Sequence, residues 1–199
     1  DINLDFSVGQ LIIQFVKKDF NSLLKSTSKV FFEDFCELSD IQVLDEWVIS
    51  HEIARIFMII TDYVQTGNKD DFTIIDDIFN KLLLVAVDSN LISFWLIIRL
   101  LRIILSTYFK ASLWSVLPPL LSSQYTTKNY IQLLSGFVPP VTELWPSQVA
   151  AIPLAVGEND GGIINLRTSG GKTRVAEIAI INTLSSNSMS KVLYLAPFR

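Results

Sequence analysis

The stretch NLRTSGGKTRVAEIAI, Asn165–Ile180, separates two kinds of sequence. Before it, Leu, Ile and Phe recur at helical spacing over most of the chain. Within it, a Thr-Ser-Gly-Gly-Lys-Thr turn lies between two apolar runs. Small residues ahead of a helix leave backbone N–H groups open to an anion, and the helix dipole favours negative charge at that end. The stretch therefore predicts a phosphate-binding turn.

Each residue type in this turn suits nucleotide phosphates. Lys172 supplies a point charge for the β and γ phosphates, and Thr173 supplies a hydroxyl ligand for Mg²⁺, which makes both residues catalytic candidates. Leu166 occupies the position where the general pattern G-x-x-x-x-G-K-[ST] has its first glycine. The other predicted nucleotide-binding residues of the turn are Thr168, Ser169, Gly170 and Gly171.

The apolar runs around the turn predict two buried strands. The first is GIINL, Gly162–Leu166, and the second is KVLYLAP, Lys191–Pro197. Between them the pattern predicts a helix from about Thr173 to Leu184. Strand, loop, helix and strand within about 35 residues form a βαβ unit with parallel strands and a right-handed crossover. A short helix is predicted to start around Pro146, because proline suits a first helical turn.

Residues 1–135 have the pattern of a helical domain. Apolar positions between Val8 and Leu24 recur every three or four residues, which places them on one helix face. Similar patterns further on predict a bundle of about five or six helices. The last of these, within Asn90–Leu121, is apolar on every face and is expected near the centre of the bundle. Arg99 and Arg102 interrupt it, whereas a membrane span needs about 20 mostly apolar residues without charge, so a buried helix is favoured.

Charge and cysteine content narrow the class of protein. Residues 1–135 hold 11 Lys and Arg against 16 Asp and Glu, net −5, and residues 136–199 hold 5 against 4, net +1. The first part is therefore a poor candidate for binding a phosphate backbone and is assigned a partner-docking or regulatory role. The single cysteine, Cys36, cannot form an internal disulfide, and with His51 as the only histidine no zinc site is expected. These features favour a cytoplasmic protein.

The segment LRTSGGKTRVAEIAI, followed by KVLYLAPFR, resembles motifs I and Ia of superfamily 2 helicases, above all the DExH branch with exosome-type RNA helicases and archaeal repair helicases. In that branch the position of Leu166 is commonly not glycine. The upstream segment LWPSQVAAIPLAV is similar to the Q motif of the family, with Gln148 lying 24 residues before Lys172. The resemblance covers only Gly136–Arg199, and Arg167, where proline is frequent, is a minor departure.

The resemblance implies the opening of a RecA-like domain that binds ATP and Mg²⁺. Gln148 would then hydrogen-bond the adenine edge, and Arg199 would contact the backbone of DNA or RNA. Hydrolysis in this family also uses a motif II Asp-Glu pair and arginine fingers from a second RecA-like domain. No such acidic pair follows Thr173. The 199-residue chain alone is therefore expected to be inactive.

These observations together predict an α plus α/β protein, with a helical bundle over residues 1–135 and the opening βαβ of a P-loop RecA-like domain over 136–199. The predicted function is that of the front end of an ATP-dependent superfamily 2 helicase or translocase. By its organisation the chain also resembles bacterial defence helicases that work beside a nuclease, such as that of the Hachiman system. Two alternatives stay open: another P-loop enzyme, such as a kinase or GTPase, and a helical interaction module with a vestigial phosphate loop.

Overall fold

The computed structural model describes residues 4–32, 41–70, 72–157, 162–167, 170–187 and 189–195. The chain divides into two compact units, residues 1–107 and residues 108–199. Within the described ranges the helices are α1 (Leu4–Val16), α2 (Phe20–Phe32), α3 (Ile41–Thr66), α4 (Phe72–Asp88), α5 (Ile92–Ala111), α6 (Leu113–Val116), α7 (Gln124–Ser135), α8 (Pro146–Val156) and α9 (Lys172–Ser186).

Helix α3 is the central helix of the first unit. It packs against α1, α2 and α4, and the ring of Phe57 on α3 lies 5.8 Å from that of Phe15 on α1. The prediction that the apolar helix α5 would be central is therefore wrong. The side chains of α3 that are wholly shielded from solvent are Ile49, Ser50, Ile53, Ala54, Ile56, Phe57, Ile60 and Tyr63.

The predicted single helix face from Val8 to Leu24 is interrupted. Lys18 has a φ of 61°, which no α-helix accommodates, so α1 ends before it. Asp19 directly precedes α2 and caps it, because its Oδ1 accepts a hydrogen bond of 3.1 Å from the Ser22 N–H. The apolar period continues through this break, which is why periodicity alone predicted one helix.

Helix α5 exists as predicted, but only one of its faces is buried. The exposed apolar side chains are Ile92, Leu96, Leu100 and Ile103. Arg102 is paired with Asp76 at 3.1 Å, a contact between α5 and α4. Among the residues that the structure describes, α5 is long and apolar enough to cross a membrane by length and composition alone. The buried side of the helix carries Phe94, Ile98, Leu101, Leu105 and Tyr108.

The second unit has its own apolar core, to which α6, α7, α8 and α9 all contribute. Helices α8 and α9 lie where the sequence predicted them. The loop between α7 and α8 is tied to the end of α5, because the Leu144 N–H donates to the Ala111 carbonyl at 2.8 Å. The core consists of Leu113, Val116, Leu117, Leu121, Tyr130, Ile131, Leu134, Leu144, Ala151, Ile152, Val175 and Ile178.

The predicted βαβ unit is absent from the described residues, so the α plus α/β fold with the opening of a P-loop RecA-like domain is wrong. Over the described residues the fold is all-helical. A β-strand is defined by a ladder of hydrogen bonds to a neighbouring strand. The one β contact found in the described ranges is an isolated antiparallel bridge between Ser112 and Glu143. Side chains predicted to be buried in strands are exposed instead: Ile163 is 98% exposed, Leu193 83% and Leu195 79%.

Candidate functional site

Two glycines shape the turn that leads into α9. Gly171 has φ 72° and ψ 34°, in the left-handed region that glycine adopts without strain. The Gly170 N–H donates to the Arg167 carbonyl at 2.8 Å and closes the turn. A Cβ at position 170 would lie only 3.0 Å from that carbonyl oxygen. Small residues are therefore required at both positions, and Lys172 begins the helix directly after them.

Lys172 and Thr173 occupy the first turn of α9, and both side chains are exposed. No hydrogen bond or ion pair connects the Lys172 ammonium with any residue in the described ranges. The first N–H groups of a helix have no partner within it, and they carry the positive end of its dipole. An ammonium, a hydroxyl and helix N–H groups are thus presented together, an arrangement that suits an anion such as a phosphate.

A cavity of about 230 Å³ lies beside the turn. Its walls are apolar except for Lys172. Leu166, at the position where the general phosphate-loop pattern has glycine, packs against the core of the second unit and forms part of this wall. The departure from the pattern therefore has a packing role. The cavity is lined by Ala155, Ile164, Leu166, Lys172, Val175, Ala176 and Ala179.

Gln148 connects α8 to the turn. Its Oε1 accepts from the Trp145 N–H at 2.8 Å, which caps the start of α8. Its Nε2 donates to the Gly171 carbonyl at 3.2 Å. With 7% of its surface exposed, Gln148 uses both ends of its amide within the chain. The sequence placed this residue near the phosphate turn, whereas its contact with adenine stays a prediction.

Gly171→Ala tests the turn. A Cβ there would lie 2.1 Å from Gln148 Nε2, and the left-handed backbone alone costs a residue with a Cβ about 1–2 kcal/mol. We expect the free energy of unfolding to fall by about 1–3 kcal/mol, because Gln148 must also give up a hydrogen bond. Urea denaturation measures the loss.

Gly162→Ala is the matched control, because a Cβ at that position meets nothing within 4 Å. Its free energy of unfolding should stay within about 0.5 kcal/mol of the wild-type value. Equal effects of the two substitutions would contradict the conformation assigned to Gly171.

A second polar cluster lies on α9 next to the candidate site. Arg174 Nη1 and Glu177 Oε2 form an ion pair at 2.6 Å. The Tyr130 hydroxyl, on α7, donates to Glu177 Oε2 at 3.1 Å and accepts from Arg174 Nη1 at 3.2 Å. Half-exposed Glu177 is held by both partners.

Burial raises the pKa of Tyr130 to about 12, from an ordinary value of 10.0. The Arg174 guanidinium acts in the opposite direction, but burial is the larger effect. The hydroxyl therefore keeps its proton and continues to donate throughout the neutral range. Sequence reasoning did not identify Tyr130, because it precedes Arg174 by 44 positions and no motif links the two.

Three of the predicted site residues, Thr168, Ser169 and Arg199, lie outside the described residues, so their roles stay predictions. Within the part of the chain that is described, no group of three or more His, Cys, Asp or Glu side chains could hold a metal ion. Thr173 is the residue of the described turn that would contribute an oxygen ligand to a Mg²⁺ bound with a nucleotide. Its exposed hydroxyl beside Lys172 fits that role.

Comparison with known proteins finds that the chain is similar to a Hachiman protein and, in part, to a helicase. No protein-family model matches the chain. The chain is 28% identical over 197 residues, 99% of its length, to the Hachiman protein HamB of Bacillus cereus. It is also 36% identical over 59 residues, 30% of its length, to the ATP-dependent DNA helicase Hel308 of Pyrococcus horikoshii. The chain is thus linked by similarity to Hachiman and helicase proteins.

These relationships confirm the coarser part of the sequence-based resemblance. The alignments span 18% of the HamB relative and 8% of the Hel308 relative, so the chain corresponds to a small part of each. The activity and partners of a whole protein that contains such a part are treated below as proposals.

Proposed function

We propose that this chain carries the ATP-phosphate site of an ATP-dependent helicase or translocase that acts on DNA or RNA. The observation that carries the proposal is the start of α9, where exposed Lys172 and Thr173 follow the left-handed Gly171. The similarity of part of the chain to an ATP-dependent DNA helicase supports it. Because the described residues form no sheet, the proposal depends on this local geometry alone.

Different groups of the turn would contact different parts of the nucleotide. The Lys172 ammonium would pair with phosphate oxygens, and charge-assisted contacts of this kind contribute roughly 1.5–3 kcal/mol each. The N–H groups of the first turn of α9 would donate to the same oxygens. The Thr173 hydroxyl would help to hold Mg²⁺. When bound, the magnesium nucleotide supplies the phosphoryl group that is transferred to water, and the fixed positive charges stabilise the negative charge that develops.

Partner binding is proposed to be divided along the chain. The acidic balance of residues 1–135, net −5, favours a protein partner over nucleic acid for this part. The relation to a Hachiman protein supports a partner of the defence type, and a nuclease subunit is the candidate. Nucleic acid would be contacted by the later part, with Arg199 as the proposed contact. The cell compartment proposed for this assembly is the cytoplasm.

A second candidate function is protein interaction through the helices, with a phosphate turn that binds nothing. The apolar side chains exposed on α5 favour it, because contiguous exposed apolar surface commonly marks an interaction site. Nucleotide binding separates the two functions, since the second requires none. The exposed side chains concerned are Ile92, Leu96, Leu100 and Ile103.

Gln148→Ala tests the nucleotide site and its base selectivity. In the full-length protein we expect the affinity for ATP to fall about tenfold and the preference for ATP over GTP to shrink, because a group that pairs with one base edge penalises another base. Titration with fluorescent ATP and GTP analogues measures both effects. Gln132→Ala, which removes an exposed glutamine of α7, is the control and should change neither affinity.

Two outcomes would contradict parts of this proposal. Equal losses for ATP and GTP would assign Gln148 only to bracing Gly171. Absence of binding of either nucleotide to the wild-type protein would favour the interaction module.

A further inference from the structure

Tyr130 links a helix outside the phosphate turn to the helix that carries it. It lies on α7, and its hydroxyl contacts Arg174 and Glu177 of α9 at 3.2 and 3.1 Å. The Arg174–Glu177 pair closes the triangle at 2.6 Å. Tyr130 is 8% exposed, so its ring belongs to the core while its hydroxyl reaches the polar cluster. These contacts are made within two turns of Lys172, where α9 begins.

Apolar packing alone would leave the orientation of α9 loosely defined. Val175 and Ile178 of α9 are buried in the same core as Tyr130. Such contacts are non-directional and tolerate small rotations of a helix. Hydrogen bonds prefer nearly linear geometry and weaken steeply as the angle falls. The Tyr130 hydroxyl therefore restricts the rotation of α9 about its axis more than the ring does.

We propose that Tyr130 is a positioning residue, which orients α9 so that Lys172 and the first N–H groups of the helix meet the phosphates of a nucleoside triphosphate. Arg174 and Glu177 are the elements through which it acts. The inference rests on the proposed ATP-binding function and deepens it, because it makes α7 part of the nucleotide site. Nucleotide binding then depends on a residue that lies well ahead of the Q-motif segment along the chain.

The chemistry of the cluster explains why tyrosine, and not phenylalanine, is needed. Glu177 accepts from two donors, and Arg174 donates to two acceptors. Each side chain is therefore held in place by two hydrogen bonds. Because the raised pKa of Tyr130 keeps its proton in place, the donor to Glu177 is present at every pH at which the protein would work. Tyr130 is the buried member of this network, and it connects the half-exposed Arg174–Glu177 pair to the core of the second unit.

Tyr130→Phe in the full-length protein is the direct test. The substitution retains the ring in the core and removes only the hydroxyl. The hydroxyl makes two hydrogen bonds to α9, and their loss weakens nucleotide binding only through the orientation of that helix. We therefore expect the dissociation constant for magnesium ATP to rise about three- to tenfold, which corresponds to about one net hydrogen bond. Binding is measured by titration with a fluorescent ATP analogue at a temperature where every variant is fully folded. Tyr125→Phe, at a tyrosine of the same helix that is 78% exposed, should leave the constant unchanged.

A double-mutant cycle with Glu177→Gln identifies the route of the effect. If Tyr130 acts through the cluster, the double variant should lose less affinity than the two single losses combined, because both remove parts of one network. Additive losses would overturn the inference. Binding by Tyr130→Phe within twofold of the wild type would also overturn it, even if the free energy of unfolding had fallen.

Lys172→Ala separates this inference from the proposed function. If Lys172→Ala removes nucleotide binding while Tyr130→Phe leaves it unchanged, the phosphate site stands and the positioning role of Tyr130 is wrong. If Lys172→Ala has no effect on nucleotide binding, the proposed function itself fails, whatever Tyr130→Phe does.

Discussion

Lys172→Ala is expected to lower the rate of ATP hydrolysis by the full-length protein at least about 10²–10³-fold, the loss typical when one preorganised group that stabilises a transition state is removed. The Lys172 ammonium is exposed at the start of α9, where it adds to the positive end of the helix dipole. The distribution of negative charge over the phosphate oxygens changes as the phosphoryl group is transferred. In the proposed site, the contact between Lys172 and these oxygens therefore stabilises the transition state more than the bound substrate. Steady-state phosphate release, with and without DNA or RNA, measures the effect.

The fold should survive this substitution. Lys172 is exposed and is not one of the residues of the buried core. Surface changes usually alter the free energy of unfolding by less than about 0.5 kcal/mol. Lys191→Ala is the matched control, because Lys191 is an exposed lysine of the same compact unit. It should hydrolyse ATP at the wild-type rate. Unchanged hydrolysis in Lys172→Ala would remove this residue from the phosphate site.

The local helix signals in the second unit could be predicted from the sequence, because their causes are local. Pro146 suits a first helical turn, and α8 begins there. The Gly-Gly pair before Lys172 permits a left-handed residue directly ahead of a helix, and α9 begins there. In both cases one or two residues restrict the backbone enough to decide the element.

The predicted sheet could not be established in the same way. The run from Gly162 to Leu166 alternates, with Ile164 and Leu166 packed against the core and Ile163 exposed. Alternation of this kind is the pattern of an extended backbone. An extended segment becomes a strand only when a neighbour pairs with it, and pairing depends on residues far away in the sequence. The sequence therefore indicated the local conformation and not the partner.

The arrangement of the first unit shows the limits of hydropathy. Helix α5 is long and apolar enough to cross a membrane by length and composition. The central helix is nevertheless α3, which carries Asp45 and Glu46 near its start. Burial depends on how many helices surround a given helix, and composition does not record that number. In the candidate site, the resemblance to the helicase Q motif linked Gln148 with the turn before Lys172, whereas nothing in the sequence connects Tyr130 with α9.

Ile178→Ala is expected to have the largest effect on stability. Ile178 of α9 is wholly buried in the core of the second unit. Truncation of a buried isoleucine to alanine removes contacts and leaves a cavity, at a cost of about 2–5 kcal/mol. Urea denaturation measures the loss, and hydrogen exchange followed by mass spectrometry should show that the amides of α9 lose protection first.

Ile163→Ala is both the control and a test of the fold. Ile163 is 98% exposed in the all-helical arrangement, so its truncation should change the free energy of unfolding by less than about 0.5 kcal/mol. In the buried strand that the sequence predicted, the same substitution would cost as much as Ile178→Ala, because each would remove an isoleucine from a packed interior. Only a buried side chain leaves a cavity when it is truncated, so a loss of about 2 kcal/mol or more in Ile163→Ala would show that this segment is buried and that the exposed position assigned to Ile163 is wrong.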